Sequence, residues 1–392
     1  MASGIVRRLM TRHGASTFRG RSRRSAALVT FAVLLSAGGT GAAESTKPVA
    51  PALEQRETDA TYNSYRLRSG EAIEQLRLHY ATLGSPHRNA AGEIDNAVLV
   101  LHWTGNSGAS LLTPEYKASL FAAGKPLDAS RYYLIFPDNL GHGRSTKPSD
   151  GLRNRFPRYG YGDIVDVQHR LVTETLGIRR LHAILGMSMG GMNAWQWAEA
   201  YPDQVGAIMP VVALPVPISG RNLLWRRMAA ENIRNDPEWK ANAYTGPTRG
   251  YAVAQQFIRL MIDGVPHFQT TIPTVTAADA FIAGIAKPTP SADPNDILYS
   301  LESSQDYDPR PGFSALRMKV FALNFEDDEF NPDRLQILQQ AVKTLPNARF
   351  VVQAGSPDSY GHLTMAHPAL WAGHVGAFMD WIEGRPNKAG SH

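Results

Sequence analysis

Three short apolar runs, each closed by a glycine-bearing turn, limit what this chain can fold into. Residues 97–102 read AVLVLH and lead into Trp-Thr-Gly. Residues 132–137 read YYLIFP and lead into DNLGHGRS. Residues 181–187 read LHAILGM and end at Ser188. Continuous apolar runs of this length suit strands covered on both faces of a parallel sheet. Helical patterns at residues 164–176 and 189–201 lie between and after them, the second stopped by Pro202, and another apolar run follows at 207–214. That alternation predicts an α/β sheet with right-handed crossovers.

Upstream, two polar–apolar alternating runs between Tyr62 and Leu83 meet at Ser69-Gly70, a hairpin signal. The strand–helix rhythm breaks at Pro215. Residues 216–312 carry helical patches without a clear strand, and are expected to form an inserted helical cap over the carboxyl ends of the strands. The rhythm then resumes with strands at 318–324 and 348–353 and helices at 333–343 and about 368–382. The expected organisation is a core in two parts, 59–215 and 313–385, with the cap between them and a Pro/Glu/Thr-rich linker at 44–58. No internal repeat is visible.

The first 43 residues hold seven arginines and no acid, then the apolar stretch AALVTFAVLLSAGG and a Gly-Ala-Ala. That is the layout of a signal peptide, predicted to be cleaved after Ala43, with a periplasmic or secreted product and no membrane anchor afterwards. The run is too short to span a bilayer comfortably. The whole chain counts 40 basic and 35 acidic side chains; without those seven arginines it counts 33 and 35, a net charge of −2. The remainder is therefore not basic, which argues against nucleic acid as a partner. Cysteine is absent, so disulfides and thiolate metal sites are excluded, and the scattered histidines lack ligand spacing. No metal or cofactor is expected. The expected partner is a small-molecule acyl substrate, with a homodimer left open.

Chemistry concentrates at Gly186-Met187-Ser188-Met189-Gly190. A serine between glycines, after a strand and before a helix, suits a strained turn that lifts its Oγ clear of the sheet. The helix behind it aims the Met189 N–H at a reacting carbonyl. A serine hydroxyl needs a base to take its proton, and on such a fold an acid and then a histidine follow the serine in chain order. After the cap, FEDDEFNP offers Glu326, Asp327, Asp328 and Glu329; later, SYGHLTMAHP offers His362. His362 is assigned as base and Asp328 as the group orienting its imidazole, with Asp327 the rival. His142 precedes the serine, and His367 and His374 lie at or within a helix. The second oxyanion donor is expected from the backbone N–H of Thr104, with Trp103 the alternative. Arg144 is expected to make a structural contact. In the cap, the aromatic and Met side chains (Trp225, Met228, Trp239, Phe257, Met261, Phe268) are candidates to line an acyl pocket, most of them being expected to pack internally instead, and Arg221, Arg226 and Arg227 are expected to be solvated.

These stretches resemble the α/β-hydrolase superfamily, and within it the homoserine O-acetyltransferase-like branch. The resemblance is carried by LHYATLG (78–84), NAVLVLHWTG (96–105), GKPLDASRYYLIFPDNLG (124–141), LGMSMGGMNAWQWAEAYPDQV (185–205), NDPEW (235–239), DDEFNP (327–332) and Gly361-His362. It implies an α/β-hydrolase fold, a mostly parallel sheet flanked by helices with an inserted cap, and a Ser188–His362–Asp328 triad, with Asp328 and Pro332 in the D-x-x-x-P spacing. Departures bear on the reaction. Gln255 stands where the branch's acyltransferases carry an arginine, and the loss would weaken recognition of an amino-acid carboxylate. The stretch 263–273 lacks the acyltransferase pattern. An exported enzyme would also lack acyl-CoA. The favoured expectation is thus a serine hydrolase acting on a carboxylic ester; an acyl-CoA-dependent O-acyltransferase is the alternative, and a non-catalytic binding module the third.

Overall fold

The computed structural model describes residues 53–285 and 292–386. The predicted signal segment and its cleavage point lie outside the described residues. Eight strands form one sheet in the order β1-β2-β4-β3-β5-β6-β7-β8. The hairpin of β1 (Gln55–Arg66) and β2 (Ala72–Leu83) is antiparallel, as is the pairing of β2 with β4 (Tyr133–Pro137). From β4 onward every pairing is parallel, through β3 (Ala97–Leu101), β5 (Ala183–Met187), β6 (Ala207–Val211), β7 (Lys319–Phe325) and β8 (Ala348–Gln353). All residues of β3, β5 and β6 are buried, the physical reason those segments read as unbroken apolar runs.

Helices cover both faces. Those used below are α1 (Tyr161–Arg170), α2 (Met189–Ala200), α3 (Gly220–Arg234), α4 (Arg249–Ile262), α5 (Val265–Thr271), α6 (Val275–Ile285), α7 (Pro294–Glu302), α8 (Ile337–Val342) and α9 (Ala372–Ile382). Helices α3–α7 all fall between β6 and β7. Their own small core joins Trp225, Ala229 and Ile233 to Ala254, Leu298 and Leu301. Two local expectations differ from the structure. β1 starts at Gln55, inside the stretch read as a linker, because residues 55–66 pair in register with β2. The helix expected over 333–343 is broken at Gln336, which takes φ 55°, so only Ile337–Val342 is α-helical.

Parallel strands bring their carboxyl ends to one edge of the sheet, where α/β folds bind ligands. The loops after β3 and β4 are tied there by two fully buried histidines. His102 donates from Nδ1 to the Trp103 carbonyl (2.9 Å) and accepts the Asn139 N–H at Nε2 (3.1 Å). His142 donates from Nδ1 to the Leu140 carbonyl (3.0 Å) and accepts the Ser300 hydroxyl of α7 at Nε2 (2.8 Å). Their rings meet edge-on, 5.3 Å apart. Each ring needs one bare nitrogen, and burial lowers His102 to about 4 and His142 to about 3.

A consequence for stability follows. As pH falls below the ordinary histidine value, the unfolded chain takes up protons that the native rings refuse, so acid favours unfolding. For His102 alone the full effect is about 3 kcal/mol, developed between about pH 6.5 and pH 4. Asp296 on α7, raised to about 6 by burial, works in the opposite sense, since its native carboxyl holds a proton that the unfolded one has lost. The urea midpoint should therefore drop from about pH 7 to about pH 5, and drop more steeply in Asp296→Asn. A midpoint in that variant that is flat or rises on acidification would contradict the neutral histidine pair.

Candidate active site

Strand β5 runs into α2 through Ser188, which sits at φ 52°, ψ −112°. That strained conformation is held from both sides: the Ser188 N–H donates to the Val211 carbonyl (2.9 Å), and the Ser188 carbonyl accepts from Met192 N–H (2.9 Å). The glycines two places away are sterically required. A Cβ at Gly186 would stand 2.1 Å from the Gly190 oxygen, and one at Gly190 would stand 2.4 Å from the Leu101 oxygen. The turn could not close as tightly with any side chain there.

The loop after β8 delivers His362, and the loop after β7 delivers Asp328. Ser188 Oγ lies 2.8 Å from His362 Nε2, and His362 Nδ1 lies 2.8 Å from Asp328 Oδ2. A carboxylate opposite Nδ1 keeps the proton on that nitrogen, so Nε2 is bare and accepts the serine hydroxyl. All three residues are buried, Asp328 at 1% exposure. Its charge is sustained by four donors: Phe330 N–H (2.8 Å) and Asn331 N–H (3.2 Å) to Oδ1, and Asn331 Nδ2 (3.0 Å) and His362 Nδ1 to Oδ2. Asn331 also donates to the Val212 carbonyl (2.8 Å), joining the acid loop to the end of β6.

Asp327, the rival acid, points elsewhere. Its Oδ2 accepts Ser359 Oγ (2.7 Å) and Gly361 N–H (3.0 Å), so it ties down the loop that carries His362 without touching the imidazole. The ring is flanked instead by Phe330, whose centroid is 4.8 Å away at 80°, and Trp225 of α3 stacks on Phe330 at 5.0 Å.

A cavity of about 210 Å³ opens over the serine, between the sheet edge and α3, α4 and α7. Trp103 and Thr104 line it with Ser188 and His362. The Met189 N–H is the first of α2 and has no acceptor within its helix, which leaves it free to donate beside the serine. The Thr104 hydroxyl is buried without a partner among the described residues. His142, His367 and His374 stay out of the triad. His142 bonds Ser300, while His367 stacks on Tyr360 at 4.2 Å. Arg144 makes the expected structural contact, an exposed ion pair with Glu57 at 2.7 Å.

Two features escaped sequence reasoning. Asn331 has no motif that marks it as a donor to Asp328. Arg226, expected in solvent, is 5% exposed and lines the cavity beside Trp225, one of the cap aromatics offered for an acyl pocket. A correct helical phase for α3 would have placed Asn222, Trp225, Arg226 and Ala229 on one inner face.

Comparisons with known proteins agree with this fold. Residues 97–250 match the family model described as alpha/beta hydrolase fold. The chain is 26% identical over 290 residues to a "Probable acyltransferase" of Methanothermobacter thermautotrophicus, covering 74% of this chain and 87% of that one. It is 33% identical over 221 residues to the homoserine O-acetyltransferase of Thermobifida fusca, covering 52% of this chain but only 57% of the relative, so this match spans little more than half of that enzyme. Among solved structures, an acetylester hydrolase from Corynebacterium glutamicum superposes with a TM-score of 0.70 at 22% identity, covering 83% of this chain and 95% of that one, a likeness of fold.

Proposed function

We propose that this chain, which belongs to the α/β-hydrolase superfamily and resembles its homoserine O-acetyltransferase-like branch, is a serine hydrolase that cleaves a carboxylic ester through an acyl-enzyme. The observation that carries the reading is the relay Ser188 Oγ, His362 Nε2, His362 Nδ1 and Asp328 Oδ2, with 2.8 Å at each hydrogen bond. His362 takes the hydroxyl proton as Ser188 Oγ attacks the ester carbonyl. The Met189 and Thr104 N–H groups hold the oxyanion of the tetrahedral intermediate. The imidazolium gives its proton to the departing alcohol, leaving the acyl group on Ser188. Water, deprotonated by His362, then attacks the acyl carbonyl, and Ser188 departs with its proton restored.

Water is preferred to an alcohol acceptor because Gln255 lines the cavity where the branch's transferases carry an arginine. The proposal includes export, with residues 1–43 removed, where acyl-CoA would be lacking. The second reading, an O-acyltransferase, is favoured by the Thermobifida and Methanothermobacter relatives. Both reactions share the acyl-enzyme and differ in what attacks it.

One assay separates them. The chain from Glu44 onward is given acetyl-CoA with and without L-homoserine, and in parallel phenyl acetate, with Ser188→Ala as the blank. Ester hydrolysis indifferent to homoserine is the expected result. Thiol release that depends on homoserine would replace the hydrolase with a transferase. Failure of a fluorophosphonate to label Ser188 in the folded protein would point to a binding module.

A further inference from the structure

The cavity over Ser188 is lopsided in charge. Arg226 and Arg259 line it, and among the described residues no Asp or Glu does. Arg226 on α3 is 5% exposed, yet no carboxylate lies within 4.0 Å of its guanidinium among the described residues; Glu329 pairs with Arg221 and Glu302 with Arg234. Its polar contacts are neutral: Nε donates to Asn222 Oδ1 (2.9 Å), and one terminal nitrogen makes a long contact with Ser304 Oγ (3.4 Å). A guanidinium has five donors, so most are unused on a side chain that is itself shielded from solvent. Burying a cation without a counter-charge is costly, and a fold tolerates it where a ligand supplies the charge.

Two further groups are left open beside it. The Tyr161 hydroxyl, fully buried at the start of α1, lies close enough to Arg226 and Thr104 to interact with both, but makes a well-aligned hydrogen bond with neither. Thr104 Oγ1 is equally unpartnered on the wall of the cavity. Arg259 of α4 is exposed at the rim, its guanidinium held over the Phe281 ring at 5.9 Å. A cation at the mouth draws in an anion, and the buried one can hold it with two parallel bonds.

We infer that Arg226 is the anion-recognising residue of this cavity, and that the ester cleaved here carries an ionised carboxylate that pairs with its guanidinium while the acyl carbonyl sits at Ser188. The inference rests on the acyl-transfer reading of Ser188. It also bears on the absence of arginine at Gln255: the buried cation of this cavity comes from α3, while the cation that α4 brings, Arg259, is exposed. The carboxylate can sit on the acyl side or the alcohol side of the ester.

The test pairs charged esters with neutral analogues. Ethyl hydrogen succinate against ethyl butyrate reports the acyl side; 4-acetoxybutanoate against pentyl acetate reports the alcohol side. Proton release gives kcat/KM for the native protein, Arg226→Gln, Arg226→Lys and Arg227→Gln, the last removing an exposed charge from the same helix. One charged ester should be preferred to its neutral partner, and that ratio should fall about 100-fold in Arg226→Gln, mostly through KM. It should recover in part in Arg226→Lys, which keeps the charge but not the fork, and persist in Arg227→Gln. A ratio near one in the native protein, or an equal ratio in Arg226→Gln, would overturn the inference and leave the hydrolase reading intact. Calorimetric titration of both charged esters into Ser188→Ala, with and without Arg226→Gln, decides the point without turnover. Binding lost with Arg226 supports it even if no ester is hydrolysed; no binding of either charged ester overturns it.

Discussion

Ser188→Ala should lower kcat for a short ester by about 10⁵-fold and abolish fluorophosphonate labelling, while leaving the fold and its urea midpoint close to native. The size of the effect comes from what the side chain supplies. Its Oγ is the atom hydrogen-bonded to His362 Nε2, at 2.8 Å, and no thiol competes, since the chain has no cysteine. Alanine keeps the Cβ, so the strain of φ 52° at residue 188 is the same in both proteins. What disappears is one hydrogen bond to a neutral imidazole. Some catalysis should persist, because the proposed oxyanion donors, the Met189 and Thr104 N–H groups, remain. Ser188→Ala retaining more than about one per cent of native turnover would mean that water attacks directly or that the nucleophile lies elsewhere.

Asp328→Asn should cost about 10⁴-fold in kcat, and Asp327→Asn about tenfold or less. The two carboxylates are neighbours in sequence but have separate duties. Asp328 sits behind the imidazole, and its Oδ2 fixes the proton on Nδ1. An amide there presents N–H to Nδ1, so the proton shifts to Nε2 and faces the serine hydroxyl, where it cannot accept. The four donors around Asp328 also lose a full negative charge, which had stabilised the imidazolium in the transition state. Asp327 bonds Ser359 and Gly361 and positions the loop that holds His362, so its loss blurs geometry without changing the tautomer. The reverse ranking, with Asp327→Asn the more damaging, would make Asp327 the orienting acid.

Much of this site was legible in the sequence because its parts are local. The nucleophile turn needs a strand, two glycines and a helix within about a dozen residues, and each is a short-range pattern. β3, β5 and β6 announced themselves by continuous apolarity. His362 and the acid pair followed from chain order. Less legible were features set by direction rather than spacing. The helix at 333–343 carries no proline or glycine, yet breaks at Gln336, where a left-handed residue turns the chain into α8. The start of β1 inside a polar stretch depends on its partner: Gln55 pairs with Leu83, nearly thirty residues away, at the sheet's antiparallel edge.

Residue order and type therefore determined the layered α/β architecture, the serine and its turn, and the chemical kinds available to activate it. Side-chain patterns repeat within a strand or helix, and backbone sterics act over a few residues, so such information survives in one dimension. Tertiary structure decided between Asp327 and Asp328, because adjacent residues on a loop point in different directions once His362 packs behind one of them. It also decided that Arg226 and Arg227, equivalent in the sequence, differ in kind: one is buried over Ser188 and the other faces solvent. Desolvation and partner choice belong to the space between α3, α1 and the strand ends, elements far apart in the chain, and only folding brings that space into being.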